Sequence, residues 1–287
     1  MSLWIEAVTQ GLAYAFLAWA ALLSLRVLKF ADISVDGTFT TGAAVAAVML
    51  LKGQSPLVAG SAAIVAGLAG GAITGLIHTK LGINDLLSGI LVMTSLYSVN
   101  LHIMGRSNLS LLDSKTVVDL ASALKIGPTW TPFVVFLSIA LIFRFALVLL
   151  LKTDYGLALR STGDSPTMAT AMSVNTDVIK IVGLAVANAM AALSGALIAQ
   201  YQGFVDISMG IGSLVTGIAG VVIGERLLGL RGVGWNVTSA VVGAVVFRLL
   251  IAGALRMGLN PIDLKLATAV MVLIALSLPG LRRRRSA

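Results

Sequence analysis

Long apolar runs separated by short polar breaks set the pattern of this chain from end to end. A bilayer core ~30 Å thick takes ~20 mostly apolar helical residues to cross. At that length the pattern predicts spans at 5–25, 33–51, 56–77, 84–104, 131–151, 178–200, 208–224, 235–252 and 264–281. The runs are continuous and do not alternate, which predicts helices and not a barrel. The expected fold class is all-α integral membrane: a polytopic bundle of about 8–10 transmembrane helices, in one domain over 1–287.

Two spans open unusually. Phe30-Ala31-Asp32-Ile33-Ser34 leads into the second and Phe204-Val205-Asp206-Ile207-Ser208 into the seventh. The charge-based topology below makes the two enter from opposite sides. A shared Phe-x-Asp-Ile-Ser opening fits an inverted repeat with broken or re-entrant helices near a solute path. It equally fits two independent helix caps, because Asp and Ser favour that position. Candidate path residues are Asp32, Asp36 and Thr38 at the first opening, Asp206 at the second, and Thr94, Asn100 and Asn188 within spans. For Thr94 and Asn188, pore lining and hydrogen bonding between helices are both open readings. Gly67, Gly71 and Gly75 recur every fourth residue, as do Gly220 and Gly224. Such stripes let helices approach closely, and packing within one chain is the expected use.

Composition agrees with the pattern. Hydrophobic residues make up 58% of the chain, charged residues 11%, and the mean hydropathy is +1.00. A water-soluble domain carries about a quarter charged residues. There is no cysteine, so no disulfide, thiolate or cysteine-held metal is available. His78 and His102 stand at opposite ends of neighbouring segments, and neither a metal nor a cofactor is expected. The first segment lacks a basic start and a small-residue cleavage site, and is read as a retained helix.

The net charge of +8 includes the run Arg282 to Arg285, which marks a cytoplasmic helix end and not a nucleic-acid surface. With that end inside, twelve of the twenty Lys and Arg fall on the inside, six outside and two within spans. This places the N-terminus outside and residues 152–177 in the cytoplasm.

That cytoplasmic segment is the longest charged break with a helical pattern. Asp164 or Ser165 can cap a helix, and Pro166 suits its first turn. Met168, Ala169, Ala171 and Met172 then form a small apolar face, with Arg160 and Asp164 nearby. Flexible methionines suit a groove on a protein partner. Resting on lipid is the competing reading, but residues 161–175 contain no Lys or Arg. No phosphate-binding loop, H-E-x-x-H or G-x-S-x-G run occurs, so the sequence offers no enzyme active site. A stand-alone carrier driven by an ion gradient remains compatible with these residues.

The run from Tyr155-Gly156 through Arg160, Gly163 and Asp164 to Met168-Ala169-Thr170-Ala171-Met172-Ser173-Val174-Asn175 resembles the cytoplasmic loop of permease subunits in the branched-chain amino acid and ribose group of ABC importers. Ser173 stands where that group usually has Gly. Gly217-Ile218-Ala219-Gly220-Val221-Val222-Ile223-Gly224-Glu225 is similar to a second block of the family, with Glu225 in place of a usual Gly. Asp32-Ile33-Ser34-Val35-Asp36-Gly37-Thr38-Phe39 is similar to a segment of the sugar branch. The nearest subgroup is that of tryptophan and tyrosine permeases. The resemblance implies a subunit of the bacterial cytoplasmic membrane, paired with a second permease copy. It implies an ATPase partner, an extracytoplasmic solute-binding protein, and no hydrolysis by the chain itself. It also implies that Arg160, Gly163, Asp164, Ser165, Met168, Ala169, Ala171 and Met172 couple to the ATPase.

Overall fold

The computed structural model describes residues 2–112, 114–120, 127, 130–229, 231–260, 263, 264 and 266–273. The chain is an all-α membrane bundle. Its helices are α1 (Ser2–Ala21), running on into a π-helical turn at Leu22–Val27, α2 (Ser34–Leu51), α3 (Pro56–Leu81), α4 (Asp85–Met104), α5 (Val117–Leu120), α6 (Trp130–Lys152), α7 (Asp154–Asp164), α8 (Pro166–Ala171), α9 (Thr176–Gln202), α10 (Ser213–Leu228) and α11 (Val233–Arg256). Residues 266–273 are also helical. Among the described residues, seven helices are long and apolar enough to cross a membrane: α1, α2, α3, α4, α6, α9 and α11. Half of the predicted span 264–281 lies outside the described residues.

Local signals place the helix ends. Ser55 accepts a bond from the Val58 amide, with Pro56 in the first turn of α3. Asn84 and Asn175 cap α4 and α9 through the amides of Leu86 and Val178. These short acceptors satisfy amides that have no partner inside the helix.

Two hydrophobic helices, α2 and α9, sit at the centre. The middle of α9 is enclosed, from Ala187 to Gln200 without an exposed residue. It packs most extensively on α3 and α2, while α1 joins it to α10 and α11. The glycine stripes serve this packing. A methyl group on Gly71 would stand 2.2 Å from the Leu184 carbonyl oxygen, and one on Gly224 would stand 1.8 Å from that of Ser239. Both stripes therefore seat helices of the same chain against each other.

The seventh predicted span is broken, as its opening suggests. Helix starts only at Ser213, and residues 207–212 run as turns. Both Asp-Ile-Ser openings adopt the same local structure. The Ser34 amide donates to Asp32 Oδ1 at 2.9 Å and the Ser208 amide to Asp206 Oδ1 at 2.8 Å, and in each the serine hydroxyl donates to the same oxygen. On the predicted outer side, β1 (Asn108–Ser110) pairs antiparallel with β2 (Phe204–Asp206), Leu109 opposite Val205. Two three-residue strands leave no readable alternation in a sequence, so the pattern missed them.

Candidate functional site

Two carboxylates with different surroundings stand at the start of α2, Asp32 just before the helix and Asp36 in its first turn. Asp32 is fully enclosed. Beside the two bonds from Ser34, it accepts one from Asn188 Nδ2 of α9 at 2.7 Å. Thr38 Oγ1 donates to Asn188 Oδ1 at 2.6 Å, which fixes the amide's orientation. A buried carboxylate is tolerable only when its acceptors are filled in this way. Asp32, Thr38 and Asn188 thus lock α2 to α9.

Asp36, one turn further on, reaches the start of α10. Its oxygens accept from the Gly212 amide at 2.9 Å, the Ser213 hydroxyl at 2.9 Å and the Leu214 amide at 2.7 Å. A carboxylate of α2 therefore caps α10, where unpaired amides and the helix dipole favour negative charge. The Gly210 amide adds a bond to Thr40 Oγ1 at 3.1 Å.

A cavity of about 240 Å³ opens beside this junction, lined by Asp36, Thr40, Thr94, Tyr97 and Asn100 with Met93 and Ile211. Asn100 gives its amide to the Gly37 carbonyl at 3.3 Å, while its Oδ1 is buried without a partner. Thr94 returns its hydroxyl to its own helix at Ile90 and Leu91. Of the predicted path residues, the structure gathers Asp36, Thr94 and Asn100 around one cavity. Asp206 stands apart, in β2 at the outer end.

The segment predicted to be cytoplasmic forms two helices, α7 and α8, where the sequence suggested one. Ser165 caps α8 by accepting from the Met168 amide, and Pro166 opens it. Asp164 instead pairs with Lys29 at 2.8 Å. Gly163 lies against the chain just after α1, where an added methyl would stand 1.9 Å from the Val27 carbonyl oxygen. The predicted apolar face is split. Met168 and Met172 are 65% and 70% exposed and Ala171 is exposed, but Ala169 is buried against the bundle. Gly163 and Ala169 therefore hold the segment to its own chain and present nothing outward. Arg160 is half-buried, gives Nε to the Gly156 carbonyl at 3.2 Å, and lines a cavity of about 270 Å³ with Asp164, Arg26 and Glu225.

Comparison with known proteins bears on this arrangement. Residues 3–277 match the family described as the branched-chain amino acid transport system permease component. A tyrosine transport system permease protein of Clostridioides difficile is 39% identical over 273 residues, covering 95% of this chain and 90% of that protein. An autoinducer 2 import system permease protein of Salmonella paratyphi B is 30% identical over 220 residues, 74% of this chain and 60% of that one. The chain belongs to the branched-chain amino acid permease-component family. Its fold is also similar to PsaBC from Streptococcus pneumoniae, solved with a Fab. That likeness has a TM-score of 0.57 at 14% identity, over 94% of this chain and 89% of that one.

Sequence reasoning passed over three contacts of the permease. Arg26, in the π-helical turn, pairs with Glu225 at 2.5 Å, joining the end of α1 to α10. Burial of Tyr155, in the first turn of α7, pushes its phenol up to about 12. Its hydroxyl faces the Ile179 carbonyl at 3.4 Å, which ties α7 to the start of α9. Arg248, treated from the sequence only as a charge inside a span, stacks on Tyr14 with its guanidinium carbon 3.6 Å from the ring centroid. No motif marks that pair, because the residues lie on α1 and α11 at opposite ends of the chain.

Proposed function

We propose that this permease is the membrane-spanning subunit of an ABC importer in a bacterial cytoplasmic membrane, and that it passes a small amino-acid-like solute inward. An extracytoplasmic binding protein delivers the solute, and a separate ATPase subunit supplies the work. A second permease copy completes the path beside the open cavity at Asp36, and membrane lipid covers the remaining apolar faces. The chain itself hydrolyses nothing and needs no cofactor.

The observation that carries this reading is the way α7 and α8 sit. They are clamped to the residues between α1 and α2 through Gly163–Val27 and Asp164–Lys29, with Met168 and Met172 turned outward. A partner that moves α8 therefore pulls on the segment leading into α2, whose first turn caps α10. Two packed states of that junction, favoured by different contacts, are what alternating access requires. An amino-acid-like solute is supported by the tyrosine permease relative and by a cavity wall with few fixed charges.

The test is copurification of the ATPase with the double variant Met168→Asp, Met172→Asp. Loss of the ATPase with membrane insertion retained is the expected result. Undiminished copurification would remove the docking role. Uptake that follows an ion gradient and ignores ATP depletion would favour the stand-alone carrier instead.

A further inference from the structure

We propose that the cavity walled by Arg160 of α7 and Glu225 of α10 is a second binding site for an amino-acid zwitterion, filled from the predicted cytoplasmic side, and that filling it slows transport. This rests on the amino-acid reading above and gives the solute a place from which it restrains its own entry.

The cavity has a volume of about 270 Å³ and gathers parts of five helical segments. Arg26 comes from the π-helical turn, Leu151 from the end of α6, Arg160 from α7, Glu225 from α10, and Asn236 and Val237 from the start of α11. Leu151 and Val237 are buried and supply apolar wall. The polar groups are not matched to one another. Arg160 and Glu225 carry opposite charges on one cavity, yet no ion pair among the described residues joins them. Arg160 gives Nε to the Gly156 carbonyl, and its guanidinium makes no other bond among the described residues. Glu225 accepts from Arg26 through Oε2 alone, although its side chain is only 12% exposed. Asn236 Oδ1 is buried with no partner among the described residues. The other acid on the wall, Asp164, is taken by Lys29.

Unused donors and acceptors around one cavity define what fills it. A mostly buried carboxylate with an idle oxygen, beside an amide oxygen with no partner, is costly until a donor arrives. An ammonium brings three N–H donors. A guanidinium takes a carboxylate through two parallel bonds. A zwitterion carries both groups, and its zero net charge suits a wall on which Arg26 and Arg160 balance Asp164 and Glu225. A simple anion or cation answers only one of the two signs. The volume is just below the ~300–1,000 Å³ usual for small-molecule sites, which suits a ligand of amino-acid size with an apolar side chain. No residue of α8 is among those lining the cavity, so it stands apart from the outward methionines assigned above to the ATPase. A ligand joining Arg160 to Glu225 fastens α7 to α10. Because α7 also carries the Gly163–Val27 clamp, this fastening favours one state of the junction over the other and slows their exchange.

The experiment uses the permease with its ATPase in nanodiscs of neutral lipid. Thermal stabilisation is titrated with L-tyrosine, with tyramine, which lacks the carboxylate, and with 3-(4-hydroxyphenyl)propionate, which lacks the ammonium. Wild type should need at least about tenfold more of either analogue than of tyrosine, the factor for one charge-assisted hydrogen bond. Arg160→Gln should erase the preference over tyramine, and Glu225→Gln the preference over the propionate. Each variant is compared with its own unliganded melting, so a general loss of stability does not mimic the result. Where a neutral variant fails to insert, Arg160→Lys or Glu225→Asp replaces it and should narrow the same preference while leaving the other. Preferences that both substitutions leave unchanged would overturn the site. Stabilisation of the permease alone that disappears once the ATPase is added would assign the cavity to that subunit, and would overturn the solute role. Uptake by the complete transporter in proteoliposomes is measured with tyrosine held on the ATPase side. It should slow severalfold in wild type and not in Glu225→Gln, each relative to its own rate without that tyrosine. Uptake of tyrosine, or of another amino acid, that ignores the same compound on the ATPase side defeats this inference alone, whereas no uptake of any amino acid defeats the reading beneath it.

Discussion

Asp36 on α2 accepts a hydrogen bond from the backbone amide of Leu214 on α10 at 2.7 Å, so one helix supplies the cap of the other. Three donors converge on this carboxylate. Hydrogen bonds to a charged group contribute ~1.5–3 kcal/mol each, and a helix cap ~1 kcal/mol. Asp36→Ala should therefore lower stability by about 3 kcal/mol. Asp36→Asn keeps one acceptor oxygen and should lose roughly half as much. Thermal denaturation in detergent reads the order. Equal stability of Asp36→Ala and wild type would mean that the junction carries no load.

The Asp32–Asn188 pair makes a different prediction, because there the charge is enclosed. Asn188→Leu removes the donor to Asp32 Oδ2 and leaves a carboxylate oxygen buried without it. The cost should be about 3 kcal/mol, the penalty of orphaning a buried charged group. Adding Asp32→Asn removes the charge itself. The double variant should therefore be more stable than Asn188→Leu alone. Non-additivity of this sign, measured as a double-mutant cycle by thermal denaturation, is the signature of the contact.

Much of this was legible in the sequence, and particular residues show why. Continuous apolar runs fix span positions because each must cross the same thickness, and Asp32-Ile33-Ser34 and Asp206-Ile207-Ser208 fix two broken openings because an Asx turn is a local matter. Ser165 and Pro166 marked the start of α8 for the same reason. The family followed from ordered blocks along the whole chain. Partnerships at long sequence separation were not legible. Nothing local tells Asp36 from Asp32, yet one caps α10 and the other locks α9. Tyr14 and Arg248 lie more than two hundred residues apart, and Ala169 reads as outward until the bundle behind it is placed.

Ser173 is a non-glycine residue in the left-handed region, with φ of +62°. A side chain in this left-handed region costs ~1–2 kcal/mol, which glycine avoids. Glycine also gains freedom in the unfolded chain, offsetting ~0.5–1 kcal/mol. Ser173→Gly should thus stabilise the turn between α8 and α9 by about 0.5 kcal/mol. Hydrogen exchange at the amides of Val174 and Asn175 should slow. Faster exchange there would show that the serine side chain is needed in the turn.

Gly163 tests the clamp that connects α7 and α8 to the bundle. A methyl group at this position would stand 1.9 Å from the Val27 carbonyl oxygen and 3.0 Å from Leu28 Cα, both backbone atoms that no rotamer change can move aside. Gly163→Ala must therefore shift α7 away from the end of α1. The neighbouring Asp164–Lys29 pair is exposed, and surface ion pairs contribute only ~0–1 kcal/mol, too little to hold the segment alone. The seven long helices do not depend on this contact, so insertion and expression should stay near wild type. What should fall is solute uptake per ATP hydrolysed, since the pull on α8 no longer reaches the start of α2. Asp164→Asn provides the control: it removes the ion pair, keeps the close approach, and should leave that ratio within about twofold of wild type. If Gly163→Ala retains the wild-type ratio, force does not travel through Val27.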